Sequence, residues 1–354
     1  MATSLSSPSN PSNPKRVHWA PLIGLIVSVA LLAWVLHRIN LREVWSYVQH
    51  AHPLLLLLTV LVATITFPVR TLRWRLILRD PQGNRLPFVP LWHATAIGFM
   101  ANNLLPARAG EVARAYVASK QLPVRFSTAF VSIVVERVFD GMMMLALMTV
   151  AIAAPSFPAH AAVGGRSLPA IATSLAVLFA VVLLFALLVA NKPKLWLVAI
   201  ERISRRLLPV AIADRIVRTS DGIVAGLLPL KSPARFLGVV LWSLALWLKN
   251  ALAFWICFRA FGLDLPFEAA FLLQGIIGFG VAVPSTPGYV GIFEAAALVT
   301  LGFYGVDSSL AASYALTYHV TTFIPITLLG FWSLSRLHLR LREVGHAAQS
   351  EQQA

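Results

Sequence analysis

The chain has 354 residues, of which 58% are hydrophobic and only 12% charged, and its mean hydropathy is +0.76. Soluble domains carry about a quarter charged residues, so this composition excludes an ordinary soluble enzyme or binding module and indicates a polytopic membrane protein. Lys and Arg outnumber Asp and Glu by 29 to 14, an excess that fits nucleic acid, anionic lipid or the topology signal of membrane proteins.

The chain begins with a polar segment ahead of its first apolar run. Residues 1–14 are rich in Ser, Pro and Asn, which predicts a disordered tail that extends to about residue 18. The apolar run 20–37 is longer than the core of a typical signal peptide and is not followed by a small-residue cleavage site. We therefore expect this run to remain in the protein as a membrane span.

Six segments are apolar over the length that a helix needs to cross a bilayer, which is about 20 residues. They lie at 20–37, 53–75, 126–153, 169–190, 236–261 and 309–335. Together they predict an all-α, polytopic membrane helical bundle over residues 19–340, followed by a cytoplasmic tail at 341–354. Cys257 lies within an apolar run, which predicts a small buried side chain; as the single cysteine it has no intrachain disulfide partner.

Two further apolar segments, 86–122 and 266–304, are interrupted by Pro and Gly, which is typical of re-entrant helical hairpins. Both begin with Leu-Pro-Phe, continue to a Gly-Phe pair and reach a Pro-x-x-x-Gly step before a Glu. The first segment follows a span that runs inward, whereas the second follows a span that runs outward. The two segments therefore predict an inverted repeat, an arrangement that forms midplane binding sites in many transporters.

Most of the 29 Lys and Arg residues fall in the tails and in the connections that would face one side of the membrane. The opposite connections carry only Arg38, Arg42, Arg166 and Arg259. This bias predicts a cell-membrane protein with both termini in the cytoplasm. Because the charges are scattered over separate connections, they do not indicate a nucleic acid partner.

Residues 194–230 combine apolar positions at helical spacing with arginines on the other side. Two interpretations are equally open: a helix that lies in the lipid headgroup region, or a linker helix that packs on the bundle. Arg70, Arg73 and Arg75 close the second span, and we expect them to extend to the cytoplasmic interface without a special function.

Three charged residues, Glu136, Arg137 and Asp140, lie inside the span 126–153. Each charge at that depth costs at least about 2.5 kcal/mol on insertion scales, so partners are needed. Arg108 and Lys249 are the candidate cations, and a partner for Arg137 is expected on a neighbouring helix. The cluster is either a structural ion-pair network or a site where Arg108 and Arg114 bind a lipid phosphate. His319, in the last span, is expected to be a satisfied polar residue rather than a proton relay.

The sequence resembles the flippase-like membrane family, also called the transmembrane domain of lysylphosphatidylglycerol synthetases. The resemblance rests on RTLRWRLIL (70–78), GFMANNLLPARAGEVARAY (98–116), ERVFDG (136–141) and PSTPGYVGIFEAA (284–296), and it extends from about residue 20 to 340. It implies a protein that handles a lipid, such as an aminoacylated, polyprenyl-linked or hopanoid lipid. Synthetase members carry a further catalytic domain, and we expect no aminoacyl transfer from this chain.

The motifs and the charges together give a set of candidate residues. Those expected at the lipid headgroup are Asn102, Asn103, Arg108, Glu111, Arg114, Glu136, Arg137, Asp140 and Glu294. Those expected at hinges or turns are Pro106, Gly110, Pro284, Pro287, Gly288 and Gly291. No catalytic residue, metal site or cofactor is predicted.

The leading hypothesis is a lipid flippase or transporter for an anionic, polyprenyl or hopanoid-type lipid. The alternatives are an integral membrane enzyme that uses Glu111, Glu136 or Asp140, and an accessory subunit for a separately encoded lipid-modifying enzyme. Neither a P-loop nor a zinc HExxH motif occurs in the sequence. The expected partners are membrane lipids, and the energy source is open, with protons among the options.

Overall fold

The computed structural model describes residues 19–37, 39–105, 108–158, 162–163, 165–227, 231–281, 286–340 and 343. The predicted tails, apart from residue 343, and the hinge residues Pro106 and Pro284 lie outside this part. Within it the chain is almost entirely α-helical, with one short two-stranded ribbon. The predicted all-α class is confirmed.

The helices follow one another with short connections. The first half contains α1 (Trp19–His37), α2 (Leu41–His50), α3 (Pro53–Thr64), α4 (Thr66–Ile77), α5 (Phe88–Leu104), α6 (Ala109–Gln121) and α7 (Phe126–Ala153). The ribbon of β1 (Ala162–Val163) and β2 (Arg166–Ser167) then precedes α8 (Leu168–Asn191), α9 (Pro193–Leu207), α10 (Val210–Leu227) and α11 (Pro233–Ala260). The chain closes with α12 (Phe267–Gly280), a 3-10 turn (Pro287–Tyr289), α13 (Ile292–Phe303) and α14 (Ser308–Arg336).

Helices occupy all six predicted spans. Among the described residues, four helical stretches meet the length and hydropathy expected of a membrane span: Pro53–Ile77, Leu168–Asn191, Pro233–Ala260 and Ser308–Arg336. Helix α7 is 28 residues long but carries the charged run Glu136, Arg137 and Asp140. The protein is an all-α polytopic membrane bundle.

Each of the two broken segments forms a helical hairpin. Helix α5 packs on α6, and α12 packs on α13. The tips of the hairpins meet, because the 3-10 turn packs against α5 and a Cβ placed on Gly288 would lie 3.5 Å from the carbonyl oxygen of Asn103. The two hairpin tips are therefore in contact, whereas the inverted arrangement of the hairpins stays a prediction.

Glycines permit the close packing of the first hairpin. A Cβ placed on Gly110 would lie 1.9 Å from the carbonyl oxygen of Gly98, so α5 and α6 approach with no space for a side chain there. The amide of Gly110 donates a hydrogen bond of 2.9 Å to Oδ1 of Asn102. These contacts hold the end of α5 against the start of α6.

The segment 194–230 divides into α9 and α10, and each half agrees with one of the two interpretations. Helix α10 packs on α7 and α8 as a linker helix would. Helix α9 leaves Leu195, Ile203 and Leu207 exposed, as a helix in the headgroup region would. Cys257 is fully buried in the main core, as predicted.

Candidate functional site

The centre of the site is a set of ion pairs between α4 and α7. Arg70 and Arg73 are three residues apart and share one face of α4, while Glu136 and Asp140 are four apart and share one face of α7. Arg70 Nη1 lies 3.1 Å from Asp140 Oδ2 and Arg73 Nη1 lies 2.6 Å from Asp140 Oδ1. Arg73 Nε also lies 3.5 Å from Glu136 Oε1.

The expectation that Arg70 and Arg73 extend to the cytoplasmic interface is therefore wrong. Both guanidinium groups turn into the bundle, because two carboxylates of α7 are buried there and need cations. Arg75 does not take part in these ion pairs. Its Nε donates a hydrogen bond to the carbonyl oxygen of Leu86, beyond the end of α4.

Helix α6 adds a third buried arginine. Arg114 Nη1 lies 2.5 Å from Glu136 Oε2, and its guanidinium carbon lies 3.7 Å from the centre of the Trp74 ring. A planar guanidinium can bind a carboxylate and stack on an aromatic face together, which a lysine cannot. Trp74 is held in turn by a hydrogen bond from its Nε1 to Ser132.

Helix α11 contributes neutral partners to the same site. Trp247 Nε1 donates to Asp140 Oδ1 over 2.9 Å, and the hydroxyl of Ser243 accepts from Arg73 Nη1 over 2.9 Å. The sequence-based prediction that Lys249 is a partner of the carboxylates is wrong. Its ammonium donates to the carbonyl oxygen of Ala63 and to the side chain of Asn250.

The edge of the site is partly accessible. The side chains of Arg108, Glu111 and Arg137 are 27%, 21% and 29% exposed, in contrast to the buried centre. Arg137 pairs with Asp140 at 3.0 Å on its own helix and approaches Glu111 of α6 at 3.9 Å, so the expected neighbouring-helix partner is present but more distant. Arg108, the other proposed partner of the α7 carboxylates, pairs with Glu111 at 3.8 Å instead.

These ion pairs join eight residues into one network, which we call the arginine–carboxylate cluster. Its members are Arg70, Arg73, Arg108, Arg114, Arg137, Glu111, Glu136 and Asp140. Five arginines face three carboxylates, which leaves an excess of two positive charges. Each of the five arginines also has at least one buried nitrogen with no hydrogen-bond partner among the residues that the structure describes. One carboxylate oxygen, Oε1 of Glu136, is in the same position, so among the described residues the unpaired donors of the cluster outnumber its unpaired acceptors.

Two of the predicted headgroup residues contact protein groups at the tip of the first hairpin. Asn102 accepts from the amide of Gly110, as described above, and Asn103 Nδ2 donates to the hydroxyl of Thr327 on α14 over 2.9 Å. These bonds join the end of α5 to the start of α6 and to α14. The structure does not place either amide within the ion pairs of the cluster.

Glu294 lies in the second hairpin, away from the cluster's ion pairs. Its Oε2 accepts from the amide of Gly291 over 2.7 Å, and its Oε1 lies 2.6 Å from His319 Nδ1. The other ring nitrogen of His319 lies 2.8 Å from the carbonyl oxygen of Gly288. His319 thus has polar partners at both ring nitrogens, as predicted. Pro287 is the first residue of the 3-10 turn, which lies next to these hydrogen bonds.

An apolar cavity of about 720 Å³ lies between α1, α7, α8, α12 and α13. Its lining includes Trp34, Met148, Leu175, Phe279 and Val299. A cavity with apolar walls between membrane helices suits the hydrocarbon chain of a lipid. Within the described residues, no group of three His, Cys, Asp or Glu side chains is arranged to hold a metal ion.

Comparison with known proteins identifies the family. The model of the lysylphosphatidylglycerol synthase TM region matches residues 22–330, which include every member of the arginine–carboxylate cluster. The chain belongs to this family. The resemblance inferred from the sequence motifs is confirmed.

The chain is similar to several curated proteins. A UPF0104 membrane protein of Methanothermobacter thermautotrophicus is 28% identical over 333 residues, which cover 89% of this chain and 92% of that protein. Glycosyltransferase AglD of Haloferax volcanii is 36% identical over 117 residues, which cover 33% of this chain but only 19% of that protein. No solved structure matches the chain.

Proposed function

We propose that this protein moves a lipid with an anionic headgroup across the cell membrane and that the arginine–carboxylate cluster receives the headgroup. The observation that carries the proposal is the excess of two positive charges in the cluster. A purely structural network in a membrane would be expected to balance its charges, because every uncompensated charge is costly there. A phosphate supplies the missing negative charge, and arginine binds it with two parallel hydrogen bonds.

The partly exposed edge of the cluster is the place where a headgroup would enter. Arg108 and Arg137 are accessible, whereas Arg73 and Glu136 are fully buried. In this account the accessible arginines bind the phosphate. The buried members, Arg70, Arg73 and Arg114 with their carboxylates, hold the charged surface in position between α4, α6 and α7.

The apolar cavity suits the hydrocarbon part of the same lipid. Helix α7 borders both sites, with Asp140 in the cluster and Met148 in the cavity wall. Eight residues of an α-helix span about 12 Å, which is within the length of a lipid molecule. A headgroup at the cluster and a chain in the cavity are therefore compatible with one bound lipid.

The sidedness of the protein is part of this proposal. The Lys and Arg residues concentrate in the connections on one side, so we place both termini in the cytoplasm. With this orientation the hairpin α5–α6 enters from the cytoplasm and α12–α13 enters from the opposite side. Their tips then meet inside the membrane. A transporter that opens alternately to the two sides of the membrane needs a barrier to the headgroup there.

The experiment is transport in proteoliposomes, with one labelled lipid class at a time: an anionic glycerophospholipid, a polyprenyl phosphate, a hopanoid, and a zwitterionic phospholipid for comparison. Chemical quenching of the outer-leaflet label measures transbilayer movement. We expect faster movement of an anionic class with the native protein, and a rate about tenfold lower with Arg137→Gln, because a charge-assisted bond to the phosphate is lost.

The matched control is Arg205→Gln, which removes an exposed arginine of α9 that lies outside the cluster. It should retain the native rate. The proposal fails if the native protein, folded and reconstituted, leaves the distribution of every lipid class unchanged, or if Arg137→Gln moves the anionic class as fast as the native protein.

A second candidate function is an accessory or enzymatic role in the modification of a lipid-linked glycan. The observation that favours it is the segment similar to glycosyltransferase AglD of Haloferax volcanii. A metal-dependent enzyme that uses Glu111, Glu136 or Asp140 would lose its activity in the presence of a chelator, whereas lipid movement through the cluster should not. Repeating the liposome experiment with chelator separates the two.

A further inference from the structure

The hydrogen bonds around His319 require a proton that the simplest ionisation states do not supply. His319 Nε2 lies 2.8 Å from the carbonyl oxygen of Gly288. A carbonyl oxygen only accepts, so Nε2 carries a hydrogen. His319 Nδ1 lies 2.6 Å from Glu294 Oε1, a distance at which one of these two atoms must also carry a hydrogen.

Two protonation states satisfy this geometry: an imidazolium next to a carboxylate, or a neutral imidazole next to a carboxylic acid. Both contain one proton more than a neutral imidazole with a carboxylate. When that proton leaves for the solvent, the neutral imidazole keeps a single hydrogen, which it can donate to Gly288 or to Glu294 but not to both. One of the two contacts of His319 is then lost, so the pair binds one exchangeable proton as long as both contacts are intact.

The pair holds the turn of the second hairpin. Glu294 accepts from the amide of Gly291, and His319 donates to the carbonyl of Gly288, so the two side chains bind both sides of the 3-10 turn. Both glycines have positive φ, at 66° and 89°, a conformation that other residues adopt at a cost. The turn is thereby fixed to α14, and it also contacts the first hairpin near Asn103.

The surroundings of the pair are apolar. The ring of Phe293 lies 4.6 Å from that of His319, and Phe323 lies 6.2 Å away on the same helix as His319. In the described part, the titratable or charged groups on the elements packed against α13 and α14 are Glu268 (α12), Tyr289 (the turn), Tyr314, Tyr318 and Arg336 (α14), His37 (α1), His93 (α5), Arg42, Glu43, Tyr47 and His50 (α2), and Arg235, Lys249, Cys257 and Arg259 (α11). None of these makes a recorded hydrogen bond or ion pair with Glu294 or His319.

We propose that Glu294 and His319 form a proton-binding site that closes the tip of the second hairpin when it is occupied and releases the tip when the proton leaves. Raising the pH empties the site and frees the turn between α12 and α13. The further step, that a proton gradient drives lipid movement through this release, rests on the transport function proposed above. The proton site itself does not depend on that function.

The test measures the opening of the turn directly, with a cysteine at Ile292. This residue is the first of α13 and is 6% exposed, and the native Cys257 is fully buried, so background labelling is low. N-ethylmaleimide labelling of Ile292→Cys is followed from about pH 5 to pH 9, on both sides of neutral pH. Because thiol reactivity itself rises with pH, the same cysteine is also measured with Glu294→Gln.

Glu294→Gln imitates the protonated state. Its amide can donate to His319 Nδ1 while its oxygen still accepts from the amide of Gly291, so the turn should stay closed at every pH. We expect the labelling rate with native Glu294 to exceed that with Glu294→Gln about tenfold at high pH, as the loss of one such bond predicts, and to equal it at low pH. His319→Ala should label fast at all pH values, while His50→Gln, an exposed histidine of α2, should match the native response.

The proposal is overturned if the native and Glu294→Gln proteins show the same labelling profile across the pH range, or if His319→Ala is protected like the native protein at low pH. Size-exclusion chromatography of each variant confirms folding, and Glu294→Gln supplies the comparison even if His319→Ala does not fold. For the coupling step, a pH gradient across proteoliposomes should change the lipid transport rate of the native protein but not of Glu294→Gln. Equal gradient responses would contradict the coupling, and the labelling result decides the proton site even where no lipid moves.

Discussion

Arg73 is the arginine of the cluster that pairs with both buried carboxylates of α7. Its side chain is fully buried, pairs with Glu136 and Asp140, and donates to Ser243. Its removal would leave two carboxylates with less compensating charge in a water-poor interior. The energetic cost of such a loss is larger than that of a surface ion pair, because the remaining charges cannot be solvated.

We therefore expect Arg73→Ala to lower the free energy of unfolding by about 3–5 kcal/mol, the usual cost of breaking a buried ion pair. Thermal unfolding of the detergent-purified protein, followed by fluorescence-detected size-exclusion chromatography, measures the change. Arg205→Ala removes the exposed ion pairs with Glu201 on α9 and Asp214 on α10 and should cost less than about 1 kcal/mol. Equal losses for the two variants would contradict the central position given to Arg73.

The sequence predicted part of the arginine–carboxylate cluster. Glu136, Arg137 and Asp140 are conspicuous because charges are rare in an apolar span, a signal that is local in the sequence. Arg70 and Arg73 lie near the predicted end of a span, where arginines often reach water, so position alone suggested the wrong environment. Their common face on α4 and their place in the family motif RTLRWRLIL were the signals that favoured a shared inward role. Their pairing with Asp140 depends on contacts across about 70 positions, which periodicity does not report.

At the scale of elements, the first hairpin depends on the contact between Gly98 and Gly110. Gly110→Ala would place a Cβ 1.9 Å from the carbonyl oxygen of Gly98, so α5 and α6 would have to separate. We expect a loss of about 1–3 kcal/mol or more in the free energy of unfolding, as for other overpacked sites. The same thermal assay measures it.

The control for this prediction is Gly302→Ala in α13. A Cβ on Gly302 meets nothing within 4 Å in the described part of the chain, and alanine favours the helix by up to about 1 kcal/mol, so this variant should be neutral or more stable. If Gly110→Ala is as stable as Gly302→Ala, the close packing of the hairpin is contradicted.

The helices themselves were predictable, whereas the contacts between the hairpins were not. Hydropathy and the Pro and Gly interruptions are local properties, and they predicted a helix at each of the six proposed spans and a hairpin at each of the two broken segments. The contact between Gly288 and Asn103, and the bond from Asn103 to Thr327, join segments about 180 to 220 residues apart. No short-range pattern contains this information.

At the scale of the whole molecule, the distribution of positive charge predicts the orientation in the membrane. A reporter that works only in the cytoplasm, such as a fluorescent protein that fails to fold after export, should be active when it is fused to either terminus. In the connection near Arg166, between α7 and α8, a fused reporter should be active only if it is one that works outside the cytoplasm. An exported signal from either terminus would contradict the proposed topology and the inverted entry of the two hairpins.

The central claim is that the excess positive charge of the cluster selects an anionic lipid. The most direct measurement is the ratio of anionic to zwitterionic lipid bound to the purified protein, determined by native mass spectrometry. Glu111→Gln raises the excess from two charges to three, and Arg108→Gln lowers it to one; both side chains lie at the same accessible edge. The account predicts that the ratio increases in the order Arg108→Gln, native, Glu111→Gln, with steps of up to about tenfold, as expected for one charge-assisted contact. Equal ratios in the three proteins, or the reverse order, would contradict it.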